Sequence, residues 1–434
     1  MSSLNHANRR EFLGTSSLAA GAALLGGLSI AQSAHAGTDD TIKVGLIGCG
    51  GRGTGAATQA LSADKNVKLI AMGDAFEDSL QASLKNLEKN EDIKGKVAVA
   101  PEMCFHGFDA YKQVIDSGID VVLLTTPPHF RPMHLEYAVE KGKHIFCEKP
   151  VAVDGPGVRR VMATVAEAKK KNLALVSGLC WRYDPAVRET MKRVLDGAIG
   201  DIVTIHETYL TSGLWHRGRK PEWSEMEYQM RNWLYFTWLS GDHNVEQHIH
   251  SLDKAAWAMK DEPPARATGL GGRQVRTDPM YGHIFDHHAV VYEYANGVKS
   301  FAFCRQQNDC ANSVEDFFYG TKGTAQVLSK YEIKDGNGNI TWKYKAASKK
   351  KADMYQVEHD ELFASIRSGQ PINNGDYMAK STMLAILGRM ATYTGQTIEW
   401  GQALNSQEDL SPAAYAWGDI KTPSVAKPGV TKFV

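Results

Sequence analysis

Ile42-Lys43-Val44-Gly45-Leu46-Ile47-Gly48-Cys49-Gly50-Gly51-Arg52-Gly53 is the stretch that decides the fold. Its first six residues form a short apolar run of the kind that becomes a buried strand. The last six fit G-x-G-x-x-G and open a helix that runs through Leu61. In that setting each glycine has a task. Gly48 permits the tight turn, Gly50 lets the backbone approach a pyrophosphate, and Gly53 lets the helix close on the strand. The helix N-terminus then offers free N–H groups to the phosphates. A glycine-rich turn without a ligand is the plainer alternative, and Asp74 weighs against it. Asp74 lies 21 positions past Gly53, at the end of a second strand, where a carboxylate can accept hydrogen bonds from the adenosine ribose. An acid there repels a 2′-phosphate, so NAD is favoured; Arg52 keeps NADP open.

Working outward, Val67–Met72, Val121–Thr125, His144–Cys147 and Leu173–Leu179 read as further strands, with helical stretches at Ala110–Ser117 and Met133–Lys141. Alternating strand and helix predicts an α/β Rossmann domain with a doubly wound parallel sheet over 37–160. Past residue 200 the rhythm changes. Ile202–Tyr209, Ala289–Tyr294, Lys299–Arg305, Glu315–Tyr319 and Thr324–Leu328 read as strands, and Asn296-Gly297 is a hairpin signal. The region 161–434 is therefore expected to be an α+β domain with an open, largely antiparallel sheet. One helix is expected over Asp242–Met259 and others at His359–Arg367 and Ala379–Thr394, the last two free to pack back on the first domain. The Lys349–Lys351 run reads as a solvated loop.

The 434 residues carry 49 basic and 49 acidic side chains, so nothing predicts an electrostatic hold on nucleic acid or a membrane surface. Small, neutral partners fit better. Residues 1–36 read as a twin-arginine signal: Arg9-Arg10, an apolar stretch from Leu18 to Ile30 too short and glycine-rich for a span, and Ala34-His35-Ala36 as the cleavage site. Export through that route, to the periplasm in a cell that has one, is the expectation, with no stable membrane anchor. The six cysteines form no C-x-x-C pair and read as buried hydrophobes, with one or two bridges left open.

Glu148-Lys149-Pro150 directly follows a strand, and in open α/β sheets ligands sit beyond the carboxyl ends of the strands. Glu148 and Thr126 should therefore border the cofactor. Lys149, its direction set by the stiff Pro150, could bind a substrate hydroxyl and take its proton. To do so near neutral pH it must lose much of its preference for the charged form, which burial and a positive nicotinamide ring would both favour. A surface lysine in a loop is the bland alternative.

Together with Thr126-Pro127-Pro128 and Gly142-Lys143-His144, these motifs resemble the glucose–fructose oxidoreductase/inositol dehydrogenase (Gfo/Idh/MocA) family. Asn374-Gly375, Ser381 and Gly388-Arg389 fit its last helices, so the resemblance covers the whole chain after the leader. It implies a dinucleotide-dependent oxidoreductase acting on sugars, with a sheet that frames the substrate and assembles a dimer or tetramer. It also implies that Glu246 and His250 join Lys149 as catalytic groups, with His248 and Asp253 beside them as substrate contacts. Trp181 and Arg182 match the segment near the nicotinamide, Arg182 as a cofactor contact and Trp181 as a substrate contact. The chain departs from the family in having Glu246 for Asp, His248 for Gly, and Arg131 where His is frequent.

His243, Glu246, His248 and His250, with Asp286, His287 and His288, match no common metal-ligand spacing, and no metal is expected. The aromatic insertion Trp215–Trp238, Trp233 included, suits either a platform for sugar rings or core and interface packing. The expected reaction is hydride transfer from a secondary carbon, such as C3 of a glycoside, to a tightly bound NAD that does not exchange outside the cytoplasm. Redox-neutral, NAD-dependent glycoside cleavage uses the same residues. A non-catalytic sugar-binding protein is the third expectation, and the intact Lys149, Glu246 and His250 speak against it.

Overall fold

Val44 and Leu46 are sealed from solvent, as a parallel strand covered on both faces requires, and burying each stabilises the fold by roughly 1.5–3 kcal/mol. They belong to the first of six strands: β1 (Ile42–Ile47), β2 (Val67–Asp74), β3 (Cys104–His106), β4 (Val121–Leu124), β5 (His144–Cys147) and β6 (Leu175–Ser177). All pair in parallel in the order β3-β2-β1-β4-β5-β6, the doubly wound arrangement. These features come from a computed structural model that describes residues 40–346 and 353–434. The signal at 1–36 and the Lys349–Lys351 loop lie outside those residues.

Helix α1 (Gly51–Ala63) follows the glycine turn, and α2 (Gly155–Lys170) crosses from β5 to β6. Asp154 caps α2 by accepting from Gly157 N. The boundary drawn at residue 160 therefore falls inside a helix of the first sheet, which runs on to Ser177 because β6 needs that crossover to lie parallel to β5.

The second sheet holds nine strands: β7 (Ile202–Thr211), β8 (Arg266–Gly272), β9 (His287–Glu293), β10 (Lys299–Gln306), β11 (Ser313–Gly320), β12 (Gly323–Val327), β13 (Glu332–Asp335), β14 (Ile340–Lys343) and β15 (Ile398–Glu399). Their order is β14-β13-β12-β11-β7-β10-β9-β8-β15, and only the β10–β7 pair is parallel. One face packs on α3 (Ile249–Ala258) and α5 (Gly375–Thr394). The expected single helix over Asp242–Met259 is instead two segments, His243–Glu246 and α3. His248 N reaches back five residues to His243 O, which widens the turn and breaks the regular ladder.

Helix α4 (Met354–Arg367) packs on α1 and buries Leu362 and Phe363 in the core of the first sheet, so the C-terminal helices do return to the dinucleotide-type domain. All six cysteines are free thiols. Among the described residues, no helix is long and apolar enough to cross a membrane.

Candidate active site

The glycine turn has the form of a phosphate cradle. Gly48 has φ +96°, and a Cβ on it would meet Thr126 N at 2.6 Å. A Cβ on Gly53 would stand 1.8 Å from Gly48 O, so helix and strand close only with glycine there. Gly50 is different: no protein atom lies within 4 Å of where its Cβ would be, so the absent side chain leaves open space in the cleft. That cleft measures about 410 Å³ and is lined by Gly48, Gly50, Arg52, Gly53, Asp74 and Thr126, among others. The residues therefore fit a dinucleotide pyrophosphate. Asp74 accepts from Cys49 N (2.6 Å) and Phe76 N (2.9 Å), which hold its carboxylate at the cleft. Burial raises its pKa against those two hydrogen bonds.

Arg52 and Glu148 do something other than what was expected of them. The Arg52 guanidinium is bonded to Glu148 and reaches Gln59 at 2.9 Å and Glu358 of α4 at 3.1 Å. Its guanidinium is paired with carboxylates while still lining the cleft. Burial works against the Glu148 carboxylate, but the charges of Arg52, Arg131 and Lys149 outweigh it and hold its pKa below the usual carboxylate range. Glu148 also accepts from Lys149 N at 3.0 Å, fixing the turn that presents the lysine.

Lys149 reaches across from the first domain to the second. Its Nζ donates to Glu246 Oε1 at 2.8 Å and to the Glu246 carbonyl, and both side chains are 12% exposed. The Lys149 charge acts on His250, whose pKa burial, Lys149 and Lys254 drive well below the ordinary value. The His250 Nδ1 has no hydrogen-bond partner, while its carbonyl accepts from Lys254 Nζ at 2.6 Å. The structure brings Lys149 and Glu246 together at the carboxyl end of β5, with His250 one helical turn past Glu246.

Arg182 and Asp253 are paired with each other. Arg182 Nε and Nη2 grip Asp253 at 2.9–3.0 Å, and its guanidinium stacks 3.9 Å from the Tyr377 ring centre. Ser381 closes the other side of Asp253 at 2.8 Å. Both residues are buried in this pair, a structural fastening rather than a ligand contact. His248 is fully buried, with Nδ1 on Asn244 Oδ1 at 3.0 Å, facing the sheet. Trp181 packs over Lys254, whose ammonium lies 5.3 Å from its ring centre. Trp233 lines the dinucleotide cleft with Trp215 and Arg217, so the aromatic insertion covers that cleft.

Sequence reasoning missed Arg131 as a site residue. It is buried, donates to Pro150 O, and its charge acts on both Glu148 and Glu246. It was read only as a departure from a pattern. Asp242, His243 and His288 also converge, in a grouping that no sequence spacing suggested. Finally, Trp417 of the C-terminal segment packs, tilted, against Phe76 and Phe108 of the cleft lining at 5.3 and 4.7 Å, and Tyr415 OH meets His129 at 2.8 Å.

Residues 42–178 match the Gfo/Idh/MocA family model, described as an oxidoreductase family with an NAD-binding Rossmann fold. The inositol 2-dehydrogenase of Rhizobium meliloti is 28% identical over 304 residues, which is 69% of this chain and 80% of that protein. The 2,7-anhydro-N-acetylneuraminate hydratase of Escherichia coli is 25% identical over 41% of this chain and 44% of its own length. The crystal structure of aldose-aldose oxidoreductase from Caulobacter crescentus, complexed with glycerol, shares the fold with a TM-score of 0.64 at 20% identity, covering 83% of this chain and 99% of that one.

Proposed function

We infer that this chain, whose residues 42–178 are the NAD-binding module of a Gfo/Idh/MocA oxidoreductase, acts on a secondary hydroxyl of a sugar or glycoside. The observation that carries the reading is the 2.8 Å contact of Lys149 with Glu246, a lysine from one domain and a carboxylate from the other meeting where the strands of the first sheet end. A nicotinamide dinucleotide bound at Gly48–Gly53 would supply the hydride acceptor.

The chain's own groups handle position and protons. Lys149 first passes one ammonium proton to Glu246, to which it already donates at 2.8 Å; the neutral amine then binds the substrate hydroxyl and takes its proton as the hydride leaves the same carbon. Neutral His250 can donate to or accept from a neighbouring hydroxyl, which orients the ring. Asp74 at the ribose position favours NAD over NADP by repelling a 2′-phosphate. Trp215 and Trp233 line the cleft, and Trp417 backs its Phe76 and Phe108, which supports a cofactor that stays bound through many turnovers. Such retention suits the periplasmic location that the N-terminal twin-arginine pattern suggests.

The hydratase relative favours a second reading, in which oxidation acidifies a ring C–H, the aglycone leaves by elimination, and the hydride returns. The same Lys149–Glu246 pair serves both. Purified enzyme with its bound dinucleotide, offered a panel of glycosides, separates them: oxidised sugar accumulates in the first case, and aglycone is released without net cofactor change in the second. Lys149→Met is expected to retain bound dinucleotide, identified by mass spectrometry, and to lose about 10²–10⁴-fold in turnover. Unchanged turnover in that variant would remove Lys149 from its role.

A further inference from the structure

Asp242, His243 and His288 lie outside the dinucleotide cleft and take no part in the proton handling above. All three are at most 3% exposed, and their ligand-type atoms lie within 4.8 Å of one another. Asp242 Oδ2 is occupied: it accepts from Phe285 N at 2.9 Å and Tyr393 OH at 2.5 Å. Asp242 Oδ1 accepts from the main-chain N of His243 and turns its remaining lone pair toward the two rings. His243 Nδ1 stands 2.7 Å away and His288 Nε2 3.3 Å away. Neither is aligned for a hydrogen bond, and Nε2 of His243 has no partner either.

Left so, these buried nitrogens would each cost roughly 1–3 kcal/mol. The outer contacts suggest what resolves that cost. His288 Nδ1 meets Thr392 Oγ1 at 2.8 Å, which fixes the tautomer with the Nε2 lone pair pointing inward. Imidazole with one carboxylate suits zinc, cobalt or nickel rather than magnesium or calcium. We propose that Asp242, His243 and His288 bind a divalent transition-metal ion of the zinc class.

The ion is structural, because the site is closed to substrate by burial on every side. Ligand atoms about 3.3 Å apart suit metal bonds of about 2.0–2.2 Å, so the His288–Asp242 separation already fits, and His243, at 2.7 Å from Asp242, reaches it by a small ring rotation away from the carboxylate. A water molecule completes four-coordination. The ion ties the short helix His243–Glu246 to β9, and Glu246 is one turn from Asp242. The site therefore holds a catalytic carboxylate in place without touching the reacting atoms.

The test uses the full-length protein. After dialysis against a chelator it is titrated with Co(II) and then Zn(II), followed by visible absorption, and the zinc form is examined by X-ray absorption. The expected result is one ion per chain, four-coordinate visible bands for cobalt that zinc abolishes, and at least two imidazoles in the zinc shell. His288→Gln is expected to lower bound metal at least about tenfold, while Lys149→Met leaves it unchanged. A wild-type protein that takes up neither ion stoichiometrically, or a zinc shell with fewer than two imidazoles, overturns the proposal. The wild-type spectra decide it even where His288→Gln does not fold.

Discussion

Glu207 on β7 offers a quantitative test of the core that supports α3. Its carboxyl is fully buried, bonded to Ser300 Oγ at 3.0 Å, with its other oxygen unpartnered. Burial, reinforced by the neighbouring Asp316 charge, pushes its pKa from 4.5 to about 8. The folded protein therefore keeps a proton that the unfolded chain releases once the pH exceeds about 4.5. Stability is untouched below that pH, falls as pH rises, and levels off above about 8. The gap of about 3.5 pH units corresponds to roughly 3–5 kcal/mol lost across that window. Glu207→Gln mimics the protonated side chain and removes the dependence. Thermal midpoints of variant and wild type, measured from pH 5 to pH 9, should nearly coincide at the acid end. By the alkaline end the variant should melt about 4–6 °C higher in a chain of this length. A difference that stays flat with pH, or a variant that melts lower at pH 9, would refute the reasoning.

Two glycines should separate folding from ligand binding. Gly53→Ala forces a Cβ to 1.8 Å from Gly48 O, so it should cost roughly 1–3 kcal/mol in thermal denaturation as well as dinucleotide content. Gly50→Ala meets no protein atom and should melt like the apoprotein while failing to retain dinucleotide; normal retention would place the pyrophosphate elsewhere. Replacing Tyr415 and Trp417 together by Ala removes ring contacts worth roughly 0.5–1.5 kcal/mol each, so bound dinucleotide should exchange roughly ten- to a hundredfold faster in a label-chase assay.

The parts of this molecule legible in the sequence are those whose cause is local. The apolar runs of β1, β4 and β5 announce themselves because both faces are buried, and the glycine motif because three backbone constraints fall within six residues. Arg266–Gly272 is not among the strands read from the sequence, yet it is β8. Its glycines are there for the packing: a Cβ on Gly269 would meet Ala289 O at 2.6 Å and Thr392 at 3.0 Å, so the strand needs them to lie close under α5. Arg182 and Asp253 are 71 positions apart, and nothing local shows that each exists to neutralise the other. Asp242 and His288 escape for the same reason, since only the register of β9 in the second sheet brings them together.

The site itself depends on this long-range packing. Lys149 belongs to the first domain and Glu246 to the second, so their 2.8 Å contact exists only when the two halves are docked. The docking is done by groups around that pair: Arg52 bridging Glu148 to Glu358 of α4, Thr382 Oγ1 of α5 accepting from Val151 N at 3.2 Å, and Asn374 Oδ1 accepting from Ser177 N at 3.1 Å. Glu148 is the hinge of the arrangement, because the carboxylate that anchors Arg52 is also the one that holds Lys149 N. A change in α4 that releases Arg52 would therefore loosen the turn that aims the lysine. The tripeptide after β5 thus carries a buried acid beside the lysine, and that acid couples the position of Lys149 to the packing of the domain that supplies Glu246.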